Sequence, residues 1–292
     1  MLPSTAQEME IRGRQFHWGE RTYIMGVLNV TPDSFSDGGK YHQLEQALDR
    51  VKQMLPYIDI LDIGGESTRP GASPVPANEE LRRVLPVIEA VRSYYPNLAI
   101  SLDTMKAKVA LAGIKAGVDI INDVTSGRYD EEMLPMVGKL GVPIVLMHMQ
   151  GMPQTMQDAP QYKDVVTEIV DFLLHRSKEA QKYGIHQIIV DPGIGFGKTL
   201  EHNLTILRHL HLFRELGYPL LLGVSRKSFI GKLTGQTEPQ DRLLGTAAAC
   251  TIGIAQGADI LRVHDPQPIK EVCLVADAIY RATNAKRARG AG

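Results

Sequence analysis

Eight short apolar runs in this chain end in residues that donate, accept or carry charge. Asn29 closes the first run and Asp62 the second, with Glu66 just beyond. Asp103 closes the third, Asn122 and Asp123 the fourth, His148 the fifth and Asp191 the sixth. Ser225, Arg226 and Lys227 follow the seventh, and Arg262 and His264 end the eighth. A single aspartate after a strand is ordinarily a turn former or a helix cap. Polar groups at every end exceed what capping requires and predict one shared rim. Ionised carboxylates only accept hydrogen bonds, whereas an amide also donates. Asp103, Asn122 and Asp191 together therefore suit a flat heterocycle with an amidine-like N–H edge. Lys227 adds a point cation for a ring carbonyl or nitrogen. Arg262 and His264 are two residues apart, so on a strand they point the same way. Beside Asn29 they form an anion site, and the loops after the last two strands of an α/β barrel are its usual phosphate site.

Those ends need elements that bring them together. Ile11–Tyr23 reads as a hairpin, with a turn at Trp18-Gly19-Glu20, placed to plug a barrel floor. Apolar runs and amphipathic stretches then alternate, with strands over about 24–29, 58–63, 99–102, 119–121, 143–147, 187–190, 220–223 and 260–263, each followed by a helix. Asn78 reads as the cap of the second helix, ahead of Glu79 and Glu80. The sixth helix is predicted over Leu200–Leu216. The last is predicted over Ile269–Thr283, starting late because of Pro266 and Pro268. Strands apolar on both sides are what helix-covered parallel strands require. Eight such units in 292 residues predict an α/β protein of the (β/α)8 TIM-barrel class in a single domain, with the hairpin at about 11–23, the barrel at about 24–284 and a tail at 285–292. A doubly wound sheet carries a G-x-G-x-x-G fingerprint after its first strand, and Met25–Gly39 has none.

Two loops, Thr31–Gly39 and Glu66–Pro76, mix glycine, proline and small polar residues, with Asp37 and Arg69 as charged members. Long loops at the working end of a barrel are typically lids. The stretch Asp191-Pro192-Gly193-Ile194-Gly195-Phe196-Gly197-Lys198-Thr199 approaches a Walker A loop but fails it, because the first glycine position is Pro192. Its glycines let backbone approach a ligand closely, and Phe196 offers a flat apolar wall. His148-Met149-Gln150 is not an H-x-H pair and no H-E-x-x-H occurs, which disfavours a metal hydrolase. Composition narrows the rest. At 43% hydrophobic and 22% charged residues the chain can bury a large core, and a net charge of −1 argues against broad binding to nucleic acid. The one basic cluster is terminal, Lys286 to Arg289. Cys250 and Cys273 lie in apolar helical patterns and read as buried thiols suited to a reducing compartment. The N-terminus lacks the pattern of a signal peptide, and no apolar run is long enough to span a bilayer, so a cytoplasmic protein is expected.

The motifs carry a resemblance. Met25 to Gly39, Asp62 to Gly71, Ser101 to Thr104, Ile121 to Asp123, Asp191 to Phe196, Ser225 to Ser228 and Arg262 to Asp265 are similar to those of the dihydropteroate synthase family, over at least Tyr23 to Asp265. The resemblance implies condensation of 6-hydroxymethyl-7,8-dihydropterin diphosphate with 4-aminobenzoate to 7,8-dihydropteroate and pyrophosphate, in folate biosynthesis, by a sulfonamide target. It implies a pterin pocket of Asp103, Asn122, Asp191, Lys227 and Arg262, and a diphosphate site of Asn29, Arg262 and His264. Asn29 would also hold Mg²⁺. Phe35, Thr68, Arg69, Pro70, Phe196, Lys227 and Ser228 would receive 4-aminobenzoate, with Asp37, Arg69, Lys227 and Arg262 catalytic. Members of the family are usually homodimers, and the apolar helix over Gly245–Ala255 or its neighbours could pack on a partner. A pterin-binding methyltransferase on the same barrel would have no use for the Arg262/His264 pair. A non-catalytic pterin-binding homologue should lack Asp37, Arg69 or Lys227, and all three are present.

Overall fold

In the computed structural model, which describes residues 8–31, 40–69 and 71–281, the apolar runs become eight parallel strands. They are β3 (Tyr23–Asn29), β4 (Ile60–Gly64), β5 (Ala99–Asp103), β6 (Ile120–Asp123), β7 (Ile144–Met147), β8 (Ile188–Asp191), β9 (Leu221–Leu222) and β10 (Ile260–Val263). Neighbours run in the order β8-β7-β6-β5-β4-β3-β10-β9. A parallel bridge from Val190 to Leu220, with Val190 N–H donating to the Pro219 carbonyl at 2.9 Å, joins the two ends of that order and closes the ring. The helices are α1 (Lys40–Met54), α2 (Ala77–Tyr94), α3 (Ala107–Ala116), α4 (Met133–Leu140), α5 (Val165–Lys182), α6 (Leu200–Arg208), α7 (Ser228–Thr234), α8 (Leu243–Ala255) and α9 (Pro266–Tyr280). The expected TIM barrel is the fold. No helix among the described residues is long and apolar enough to cross a membrane. Phe35, Asp37, Pro70 and the 285–292 tail lie outside the described residues.

The two-residue period of a strand sorts the side chains into layers. Ile24, Leu28, Leu61, Ile63, Ile100, Leu102, Ile121, Leu146, Val190, Leu222 and Leu261 join the helices in one buried cluster. The alternate residues Met25, Ile60, Ala99, Ile120, Val145, Ile189, Leu221 and Ile260 form a second cluster inside the barrel. Two positions further along the same strand faces stand Asp62, Ser101, Asn122, Met147, Asp191 and Arg262. Two further still stand Asn29 and Asp103, counted from Val27 and Ser101. The barrel interior is thus greasy at its floor and polar at its mouth.

The hairpin is present ahead of the first barrel strand, with shifted bounds. Its strands are β1 (Met9–Ile11) and β2 (Arg14–Phe16), and it turns at Arg12-Gly13, both at positive φ (55° and 72°), which matches the right-handed strand twist. Trp18-Gly19-Glu20 is a connection, and Tyr23 already belongs to the barrel. Met9, Ile11, Phe16 and Trp18 pack with the interior floor layer, so the hairpin stoppers the barrel. Three helix bounds also differ from expectation. α2 begins after Pro76 without a side-chain cap, because Asn78 Oδ1 accepts from Lys108 Nζ at 2.8 Å instead. α9 starts at Pro266, since a first-turn proline gives up only an N–H that has no helical partner. The stretch 200–216 breaks after Arg208 into a 3₁₀ segment, Leu210–Leu216.

Candidate active site

Arg262 organises the mouth. From β10 its Nε donates to Asp62 Oδ2 on β4 and its Nη2 to Asp103 Oδ2 on β5, both at 2.7 Å. Asn122 on β6 donates its Nδ2 to both Asp62 oxygens at 3.3 and 3.4 Å. One guanidinium thus serves two buried carboxylates. Burial works against its charge, but Asp62 and Asp103 outweigh burial and hold the Arg262 pKa above its ordinary value. Burial pushes Asp103 up to about 7; Arg262 opposes this, while Asp62, Glu80 and Asp123 add to it. Its carboxyl is therefore poised between accepting and donating near neutral pH.

Asp191 closes the pocket from β8. Its Oδ1 accepts from Gly193 N–H at 2.7 Å, and burial raises its pKa against the pull of that bond and of Lys227. Lys227 precedes α7 and reaches back across the mouth. Its Nζ donates to the Ile194 carbonyl at 2.5 Å and lies 4.0 Å from the centre of the Phe196 ring. Burial brings its pKa down to about 7, with Arg262 adding to the fall and Asp191 resisting it. The Arg226 backbone that presents it is left-handed (φ 60°), held by Thr246 Oγ1 and by two bonds from its guanidinium to Asp265 at 2.8 and 2.5 Å. Asp265 is thereby taken up by Arg226, leaving Arg262 to the carboxylates of the mouth. Phe196 also packs on a group of Met105, Val124, Met147, Met149 and Met156, an adaptable apolar wall beside the acids.

The anion side is less charged than the sequence suggests. His264 N–H and Nδ1 both face Ser225 Oγ, at 3.2 and 3.1 Å. Burial, then Arg262 and Arg226, bring its pKa down to about 3, so the ring is neutral at pH 7 and meets an anion as a dipole. Asn29 stands on β3, the neighbour of β10, with Oδ1 3.8 Å from where a Cβ on Gly64 would lie. Among the described residues no three His, Cys, Asp or Glu side chains are grouped to hold a metal. A lone amide oxygen fits a hard divalent ion that takes most of its ligands from phosphate and water. Arg69 is exposed and Thr68 half-buried in the loop after β4, which Gly71 N–H ties to the Pro153 carbonyl at 3.1 Å. Ser228 is exposed at the first position of α7.

Other rim residues have structural duties. Asp123 accepts from Thr125 N–H, Thr125 Oγ1 and Gly127 N–H, an ordinary turn former. Glu66 accepts from Val75 N–H at 2.9 Å and pairs with Lys106, which also reaches Glu80 at 2.6 Å; this buried triad anchors the loop after β4. His148 turns toward Lys198.

The match to the model of the family described as pterin binding enzymes runs over residues 25–264, which takes in every barrel strand from Met25 of β3 to the end of β10. The chain belongs to the pterin binding enzymes. Dihydropteroate synthase of Synechocystis sp. is 48% identical over 269 residues, covering 91% of this chain and 93% of the relative. The solved structure of Xanthomonas albilineans dihydropteroate synthase with 4-aminobenzoic acid is 44% identical with a TM-score of 0.87, covering 94% of this chain and 98% of that one. The enzyme from the same organism in complex with 7,8-dihydropteroate is 41% identical with a TM-score of 0.84, over 94% and 98% of the two chains. In this pterin binding enzyme the acids, amide and bases singled out from sequence come together at one end of one barrel. In sequence Asp62 is only another strand end, and the methionine wall has no local signature. For Met147 the available signal was its place two residues beyond Val145 on the inward face.

Proposed function

We propose that the chain is a dihydropteroate synthase, a transferase of folate biosynthesis that joins 4-aminobenzoate to 6-hydroxymethyl-7,8-dihydropterin diphosphate and releases pyrophosphate. The observation that carries this reading is Arg262 bridging Asp62 and Asp103 at 2.7 Å in a mouth shared with Asn122, Asp191 and Lys227. Acids for a heterocycle edge and a cation beside them meet next to the anion side. The 4-aminobenzoic acid and the 7,8-dihydropteroate named with the Xanthomonas relatives fit that division.

In this reading Asp103, Asn122 and Asp191 hold the pterin by its N–H edge, and Lys227 donates to a ring acceptor. Arg262 lies along the pterin and, with neutral His264 and Asn29, takes the diphosphate. Asn29 would hold Mg²⁺, whose charge offsets that of the departing diphosphate. As the exocyclic C–O bond breaks, the pterin methylene becomes electron-poor and the ring spreads the charge. Asp103 and Asp191, buried beside the ring, favour that cation, which points to a dissociative displacement. The amine of 4-aminobenzoate is already neutral at pH 7 and attacks late without needing a general base; the C–N bond forms once the C–O bond is lost, and the resulting acidic ammonium gives its extra proton to water. Phe196, Lys227, Ser228 and the loop residues Thr68, Arg69 and Pro70, with Phe35 and Asp37 from the other loop, would enclose the aminobenzoate. The test is pyrophosphate release from the purified enzyme with both substrates; release without dihydropteroate, or none at all, overturns the reading. A methyl donor driving turnover in its place would indicate the methyltransferase chemistry. Pre-steady-state pyrophosphate release that always requires 4-aminobenzoate would exclude the dissociative order.

We assign the protein to the cytoplasm, where the buried, unpaired thiols of Cys250 and Cys273 stay reduced, and to a homodimer. The dimer surface is the outer face of α8 and α9, which leaves Leu244, Ile252, Leu274, Val275 and Ile279 to solvent, Leu244 at 84% and Ile279 at 68%. A monomer rarely leaves so many large apolar side chains together. The double variant Leu274→Asp/Ile279→Asp is expected to sediment as a monomer at concentrations where the wild type is a dimer. Equal masses for the two would remove this surface from consideration.

A further inference from the structure

The Gly197-Lys198-Thr199 segment is the piece of sequence the reading above leaves without a task. Its lysine does not face a ligand. Lys198 is 3% exposed and turned under the loop that follows β8. Its Nζ meets the Phe196 carbonyl at 2.9 Å, the His148 carbonyl at 3.3 Å and His148 Nδ1 at 3.0 Å. Two N–H bonds serve the two carbonyls. The third contact is satisfied in either protonation state, since imidazole Nδ1 can accept from an ammonium or donate to an amine. Lys198 therefore ties the end of β7 to the turn that carries Ile194 and Phe196.

That turn is what holds Lys227, whose ammonium rests against the Ile194 carbonyl and the Phe196 ring. The turn is packed backbone against backbone. A Cβ on Gly193 would lie 1.9 Å from the His148 carbonyl oxygen, and one on Gly197 2.3 Å from that of Gln150. Tyr162 adds a hydroxyl bond to the Gly197 carbonyl at 2.8 Å.

We propose that Lys198 is a positioning residue for the transfer reaction, acting through His148 and the Ile194–Phe196 turn to fix the cage that places the Lys227 ammonium. The proposal rests on the synthase reading for its kinetic consequence but not for its structural one. A bolt that only stabilises the fold would lower the amount of active enzyme and leave KM alone. A bolt that aims the cage changes KM for the substrate bordered by Phe196 and Lys227.

In Lys198→Met, KM for 4-aminobenzoate is expected to rise about tenfold, since displacements near 1 Å at a site carry penalties of that order or larger. Hydrogen exchange of the 193–199 amides is expected to quicken in the same variant. Unchanged KM, with kcat falling only as the folded fraction falls, overturns the proposal, as does unchanged exchange in the loop. If Lys198→Met does not fold, Tyr162→Phe removes a milder tie on the same turn. Its expected result is a rise in the same KM of about twofold to threefold, and no rise overturns the proposal. A wild type that releases no pyrophosphate sinks the synthase reading instead, and loop exchange then decides the positioning role by itself.

Discussion

Turnover is expected to fall about a thousandfold in Lys227→Ala, the scale of losing a half-buried charged donor to a developing reaction centre. The two cations whose charge it feels are engaged elsewhere. Arg262 is committed to Asp62 and Asp103, and Lys198 is turned under the loop toward His148. Stability should change little, because the side chain has one hydrogen bond to lose, that to the Ile194 carbonyl. Activity within tenfold of wild type, at equal folded fraction, would count against the assignment. The pH profile makes the same point without a mutation. In the free enzyme Lys227 titrates at about 7, so its ammonium is present below that pH and lost above it. Since kcat/KM reports groups of the free enzyme, it should decline along an alkaline limb beginning near neutrality. Asp103, also brought to about 7, should bend the acid side as its carboxylate is protonated. Lys227 and Asp103 feel each other's charge, so the apparent values belong to the pair. Residual Lys227→Ala activity should retain the acid limb and lose the alkaline one. A wild-type profile flat from about pH 6 to pH 9 would contradict the assignment of both groups.

Arg262→Met is expected to fail in two ways. It removes the cation placed for the diphosphate, so saturation with the pterin substrate should be lost. It also leaves Asp62 and Asp103 buried without their shared partner, which typically costs about 3–5 kcal/mol. The second effect has a direction in pH. A buried carboxyl without a counterion takes up a proton in the native state at pH values where the unfolded chain, with a pKa near 4, stays ionised. The native state then binds more protons than the unfolded one, so stability falls as pH rises. The deficit against wild type in urea unfolding should therefore be larger at about pH 8 than at about pH 5.5. An equal deficit at both would mean that Asp62 and Asp103 find another counterion. Asp62→Asn is the milder companion variant: it keeps the shape and removes one of the two charges that hold Arg262 in place.

The barrel was legible because its grammar is local. A strand buried on both faces must be an unbroken apolar run, and a helix over it must be amphipathic, so eight alternations identify the fold before any contact is known. The misplaced features depended on partners from elsewhere in the chain. Trp18-Gly19-Glu20 has turn-like composition, but Arg12-Gly13 makes the hairpin turn, because only that choice carries Met9, Ile11, Phe16 and Trp18 to the floor layer together. Asn78 has the chemistry of a cap, yet Lys108, thirty residues away, claims its oxygen.

The site divides along the same line. The sequence by itself determined which chemical groups stand at the strand ends, because polarity there is written residue by residue and strand period decides which of them share a face. That is why Asn29, Asp103, Asn122, Asp191, Lys227 and Arg262 could be named in advance, along with the kind of ligand they suit. Only the tertiary structure decided how those groups neutralise one another. It spends Arg262 on Asp62 and Asp103, keeps His264 neutral beside Ser225 and two arginines, reduces Asp123 to a turn, and turns Lys198 inward under a loop that resembles a phosphate cradle. The physical reason is that a charge buried in a barrel mouth takes its state from whatever lies within a few ångströms. Here those neighbours are supplied by strands up to two hundred residues apart.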